Sequence, residues 1–140
     1  MTAVPKPVKP KKKKKKRDDY KGALWTAFSA YIRRNGVCEF HKILNNYPSM
    51  CPCKCNGVLQ ACHKISRSKL VIKYDERNVF AGCSGSNTWA HWNQVEWDRL
   101  WRKMFPEDVD YLERKLKMKY VGMKALDYRV KTQEYTDKLK

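Results

Sequence analysis

Three cysteines fall within five residues, at Cys51, Cys53 and Cys55, inside a stretch that can hardly pack itself. Residues 37–57 are rich in Cys, Asn and Pro and show no apolar periodicity. Such a segment has no helix face or strand face to bury, so a ligand must hold it in shape. No apolar run approaches the roughly 20 residues of a membrane span, and the charged N-terminus is not followed by the apolar stretch of a secretory signal. A cytoplasmic location is expected. There cysteines stay reduced and read as metal ligands or core thiols before disulfides. Structural Zn²⁺ needs four tetrahedral ligands, and the candidates are Cys38, His41, Cys51, Cys53, Cys55 and Cys83. Cys38 and His41 have the C-x-x-C spacing with a His in second place, while Cys51 with Cys55 and Cys53 with Cys55 are alternatives. Ordinary free thiols are the competing reading, and Cys62 reads as a small core residue.

The chain has 140 residues and a formal net charge of +17. Residues 1–17 hold 9 basic side chains and no acid, and the remainder holds 22 basic and 14 acidic groups, a net of +8. Pro5, Pro7 and Pro10 forbid a helix in this arm, and its lysine run repels itself. The run can be a solubilising tail. The stronger reading is a phosphate-binding arm built from Lys11, Lys12, Lys13, Lys14, Lys15, Lys16 and Arg17, which would add affinity without sequence choice. A polyanionic partner is expected; the charge by itself does not choose between DNA, RNA and an anionic membrane, although a membrane partner is not the expectation.

The organisation expected is an arm at 1–17, a domain at 18–120 and a helical extension at 121–140. A first helix is predicted over about 18–34, with Asp18 and Asp19 at its start and Asn35-Gly36 at its end. Leu24, Trp25, Phe28, Tyr31 and Ile32 make its core face. Short strands are predicted at about 58–65 and 79–82. A helix follows from Ser86 or Asn87 to about Met104, with Trp97, Leu100, Trp101 and Met104 inward and Trp89 read as core. Arg99, Arg102 and Lys103 offer a basic face. Pro106 separates a helix at about 107–120, and 124–139 reads as helical on the spacing of Leu126, Val130 and Leu139. No internal repeat is found.

His63 at a strand end, Asn78 before the next strand and Asn87 at a helix start form the chemical constellation. A histidine titrating near neutrality can take a proton from an attacking water. An asparagine can fix a turn and orient that ring, and a helix start favours a phosphate. Asn87 and His91 are four apart and share a helix face, so His91 reads either as a second ligand on a cation or as a ring packed with Trp89 and Trp92.

FSAYIRR at 28–34, ACHKISR at 61–67, YDERNV at 74–79 and GCSGSN at 82–87 carry a resemblance. In that order and spacing they resemble the phage recombination nucleases of the NinG type, in the HNH (ββα-metal) superfamily, from Leu24 to about Glu113. The active-site plan is also similar to that of Holliday-junction resolvases of the endonuclease VII type. The resemblance implies an α+β fold with a small ββα-metal core and a zinc-stapled loop, flanked by N-terminal and C-terminal helices. It implies a metal-dependent endonuclease acting on duplex or branched DNA with Mg²⁺ or Mn²⁺. His63 falls on the general base, Asn78 on the central Asn, and Asn87 on the metal residue at the helix start. Arg67, with Lys69 nearby, falls on the phosphate-contacting side. Resolvases of this plan act as dimers, so a homodimer is compatible with the resemblance.

Two positions depart from the family. Gln60 stands where an Asp usually ligates the catalytic metal, and a neutral amide holds a hard cation less tightly. The family's C-x-x-C-N becomes Cys83-Ser84-Gly85-Ser86-Asn87, which lacks one thiolate. Catalytic metal candidates are therefore Asn87, His91 and Gln60. A zinc-stapled DNA-binding protein with weak or no catalysis is the alternative function, and an RNA-binding accessory role rests on charge and aromatics alone.

Overall fold

The protein is seen in a computed structural model that describes residue 2, residues 19–44, residue 55 and residues 57–140. The basic arm from Lys11 to Arg17 lies outside the described residues, as do Cys51 and Cys53. Among the described residues the class is α+β, with six helices and one two-stranded sheet. The order is α1 (Tyr20–Arg33), α2 (Glu39–Leu44), β1 (Leu59–His63), a 3-10 turn at Leu70–Ile72 and β2 (Val79–Cys83). Then come α3 (Ser84–Trp92), α4 (Gln94–Met104), α5 (Pro106–Leu116) and α6 (Ala125–Lys138). No helix among the described residues is long and apolar enough to cross a membrane.

β1 and β2 are antiparallel, with Ala61 opposite Ala81, Cys62 opposite Phe80 and His63 opposite Val79. A lone pair of short strands is marginal in water, and here both faces are covered. On one side Phe40 of α2, Phe80, and Trp97, Leu100 and Trp101 of α4 share a core with Leu112 of α5. On the other, Leu24 and Phe28 of α1 pack with Val79 and with Tyr128 and Tyr135 of α6. β2 is buried along its whole length, as a strand between two layers must be. Gly82 is required there, because a Cβ would lie 2.6 Å from the Phe40 ring.

Three expectations need correction. The single helix expected from Ser86 or Asn87 to Met104 is two helices, broken at Asn93. Asn93 Nδ2 donates to the Trp89 carbonyl at 2.9 Å, closing α3, while the Asn93 carbonyl accepts from Trp97 N–H at 2.8 Å and opens α4. An asparagine side chain competing for backbone groups makes this break. In α6 the buried face is Tyr128 and Tyr135, whereas Leu126 and Val130 are 68% and 60% exposed. The tyrosine rings meet Tyr20, Phe28, Tyr31 and Tyr74. The stretch 37–57 also holds a short helix, α2, pinned by the Phe40 ring against Phe80 and Trp97.

Candidate functional site

The long connection 64–78 between the strands is clamped from within by the Asn78 side chain. Asn78 is fully buried. Its Oδ1 accepts from Ile65 N–H at 2.9 Å, and its Nδ2 donates to the carbonyls of Ile65 at 3.0 Å and Ile72 at 3.2 Å. Its backbone carbonyl accepts from Lys64 N–H at 2.8 Å. Asn78 therefore acts on the site through the loop it clamps. Lys64 fixes the same loop to α5: its buried ammonium donates to the Arg77 carbonyl at 2.7 Å and to Asp108 at 2.8 Å, 3.7 Å above the Phe105 ring. Burial lowers its pKa, and the Asp108 carboxylate works the other way. Neither Lys64 nor Asp108 carries a sequence signal, since their meeting spans 44 positions.

His63 ends β1 on the α1 side of the sheet. Its Nε2 lies 3.1 Å from the Lys73 carbonyl. A carbonyl only accepts, so this contact places the ring proton on Nε2 and leaves the Nδ1 lone pair for a proton from elsewhere. The ring is stacked on Trp25, centroids 5.5 Å apart and planes 13° off parallel. Burial holds His63 below its ordinary pKa; the Lys73 bond opposes this, and the charges of Arg67 and Lys73 add to it. A ring kept neutral in this way is suited to act as a base near pH 7. Trp25, expected only as core, is thus the floor under His63. The helical spacing of α1 marked the residue as inward without showing what it would touch.

The side chains of His63, Asn87 and His91 all line one cleft of about 900 Å³ that reaches Arg67, Arg99 and Arg102. Cys83 caps α3 and places Asn87 in its first turns. The Asn87 amide donates to Gln60 Oε1 at 2.8 Å, so Gln60 and Asn87 meet as expected of neighbours, but as a pair of neutral amides. His91 is exposed, one turn further along α3, with Trp92 edge-on at 5.1 Å. Trp89 is half-buried against the core. The basic face expected on α4 is largely neutralised: Arg102 pairs with Asp98 and Glu113, and Arg99 with Glu96. Arg67 and Lys69 are exposed on the clamped loop.

Behind the hairpin, the sulfurs of Cys38, Cys55 and Cys83 lie within 4.8 Å of one another and could hold a metal ion. Cys83 N–H donates to Cys38 Sγ at 3.2 Å, and Ser86 N–H to Cys83 Sγ at 3.4 Å. Backbone donors of this kind favour sulfur as thiolate, the form a metal takes. His41 is exposed on α2 and does not join the converging sulfurs. Cys62 is buried and is not one of the three, and its thiol is pushed up to about 12 by burial and by the neighbouring Cys38 and Cys83. That thiol stays protonated and packs as a core residue.

No protein-family model, curated protein or solved structure matches this chain.

Proposed function

We propose that the chain is a DNA endonuclease built on the HNH plan, with His63 as the general base that takes a proton from the water attacking a phosphodiester. The observation that carries the reading is the setting of His63. Its ring is neutral, stacked and bonded through Nε2, at the wall of a cleft flanked by Arg67. The strand–strand–helix order of β1, β2 and α3, with Asn78 clamping the loop, supports the same plan. In this reading Arg67 and Lys69 hold the phosphate and the arm 1–17 adds affinity. A staple of Zn²⁺ on Cys38, Cys55 and Cys83 fits the three converging sulfurs, since tetrahedral Zn–S bonds of about 2.3 Å set sulfurs about 3.8 Å apart.

The donors at the cleft do not make a cage for a hard dication: the carboxylate in its lining, Asp98, is paired with Arg102. Mg²⁺ or Mn²⁺ takes charged oxygen by preference. Gln60 and Asn87 offer neutral amides already bonded to each other. Among the described residues the cysteine group is the one convergence of three His, Cys, Asp or Glu ligands. This amide pair favours a second reading, a zinc-stapled DNA-binding protein on the same scaffold with weak or no cleavage.

Cleavage of plasmid and junction DNA, with Mg²⁺, Mn²⁺ or chelator present, separates the two. Under the first reading His63→Ala loses about 10²–10⁴-fold in cleavage and keeps its DNA affinity. Cleavage by His63→Ala at the wild-type rate refutes His63 as the base. Tight binding with no cleavage in any condition establishes the second reading.

A further inference from the structure

We infer that a second, smaller pocket, walled by Lys21, Trp25, Arg67, Lys73 and Tyr74, binds one phosphate group of the DNA strand next to the phosphodiester addressed by His63. This rests on the nucleic-acid reading above and deepens it. The pocket encloses about 210 Å³, room for a phosphate with part of its sugar. Its cations come from three separate parts of the fold: Lys21 from α1, Arg67 from the loop after β1, and Lys73 from the end of the 3-10 turn.

These cations differ from seven that are ion-paired on the domain. Lys64, Arg77, Arg99, Arg102, Lys115, Lys138 and Lys140 each lie within 4.0 Å of a carboxylate. Among the described residues Lys21, Arg67 and Lys73 form no such ion pair. The ammonium groups of Lys21 and Lys73 instead stand over rings, 5.9 Å from the Tyr128 centroid and 5.3 Å from the Tyr74 centroid. Of the carboxylates two residues from these cations, Asp19 accepts from the N–H of Gly22, a lining residue, at 3.0 Å and caps α1, and Asp75 accepts from the Tyr111 hydroxyl at 2.7 Å. Three cations converging on a small cavity without an acid among its walls select an anion, and a phosphate suits both the charge and the size.

The pocket and the catalytic cleft share two walls, Trp25 and Arg67. The Lys73 backbone holds His63 while the Lys73 side chain walls the pocket. A strand lying in the cleft therefore passes over Trp25 and can set a neighbouring phosphate into the pocket.

The test is binding, measured by fluorescence anisotropy in chelator so that no cleavage occurs. A set of duplexes, each with a single neutral methylphosphonate linkage, is titrated with wild type, with a Lys21→Gln/Lys73→Gln double variant, and with a Lys117→Gln/Lys119→Gln control. Thermal melts establish that all three are folded. Wild type and control should lose affinity several-fold at one linkage, and the pocket variant should show no loss there. The pocket variant's slope of log K against log salt should shrink by about 0.9, the share of one phosphate on duplex DNA. A matched pair of duplexes with a 5′-phosphate or a 5′-hydroxyl tells an internal phosphodiester from a strand end: the first predicts no difference, and a difference abolished by the pocket variant assigns the strand end. Penalties equal in wild type and pocket variant at every linkage and at the end overturn the pocket while leaving the nucleic-acid reading standing. Failure of wild type to bind any of the duplexes overturns both.

Discussion

Replacing Asn78 by Ala strips three hydrogen bonds from one buried point. The side chain serves Ile65 N–H, the Ile65 carbonyl and the Ile72 carbonyl. A typical hydrogen bond contributes about 1 kcal/mol net, but a buried partner left unpaired costs about 1–3 kcal/mol. Ile72 is fully buried and Ile65 half-buried, so little water can replace what is lost. The expected loss is about 3–5 kcal/mol, a large part of the roughly 5–15 kcal/mol that holds a domain folded. Urea unfolding followed by tryptophan fluorescence reads it directly. At a slope of about 2 kcal/mol per molar, the midpoint should fall by about 2 M with the slope unchanged. Asn78→Asp is the sharper companion. It keeps an acceptor for Ile65 N–H but turns a carboxylate towards two carbonyls, so it should be at least as unstable at neutral pH. It should recover as the pH falls and the carboxyl gains a proton to donate. A loss below about 1 kcal/mol in Asn78→Ala would refute the clamp.

The pKa of His63 lies below its ordinary value near 6.5. The fold favours the neutral ring, so His63 contributes stability fully present above about that pH and lost as the pH falls through the lower folded value. In cleavage, Arg67→Gln removes a charge that depresses the ring and should move the acid limb of the pH profile to higher pH. Phosphate contact by Arg67 alone would change KM and leave the limb in place. About one zinc per chain is expected on metal analysis of protein purified without chelator, with Cys83→Ser losing the metal and several degrees of thermal stability. Well-folded wild type without zinc would make Cys38, Cys55 and Cys83 ordinary thiols. Deleting residues 1–17, with its 9 positive charges, should weaken binding to all DNA alike and lower the salt slope by several units. An unchanged slope would make the arm a solubilising tail.

Much of the hairpin and its flanking helices is legible in the chain. Asp19, Asn35-Gly36 and Pro106 mark helix ends by rules that act over one turn, and short apolar runs mark β1 and β2 within two residues. The break at Asn93 is not legible, because Trp89, Trp97 and Trp101 continue a helical spacing across it. Only the fold shows the Asn93 amide taking the Trp89 carbonyl. The buried face of α6 is not legible, because leucine and valine outweigh tyrosine on any hydropathy count, yet Tyr20, Tyr31, Tyr74, Tyr128 and Tyr135 supply much of the packing around α1. At the site, proximity of Gln60 and Asn87 follows from the β1–β2–α3 order. That the two amides satisfy each other does not follow, because it depends on rotamers. The stack of Trp25 under His63 joins positions on different elements, and no periodicity encodes such a meeting.

The pairing of α1 with α6 bears on how the chain reaches its fold. Tyr20 meets Tyr128, while Phe28 and Tyr31 both meet Tyr135, so the two helices run side by side in the same direction. Every other described element is synthesised between them. The apolar stripe of Leu24 and Phe28 emerges early and is only partly covered, by Val79 and Tyr74, until α6 is made. Contacts so far apart in sequence carry a heavy loop-closure entropy and slow the final step of folding. A nascent chain paused after α5 would present the α6-facing side of that stripe to solvent, where it invites chaperones or neighbouring copies. Supply of an α6 peptide in trans should then rescue such a fragment from aggregation.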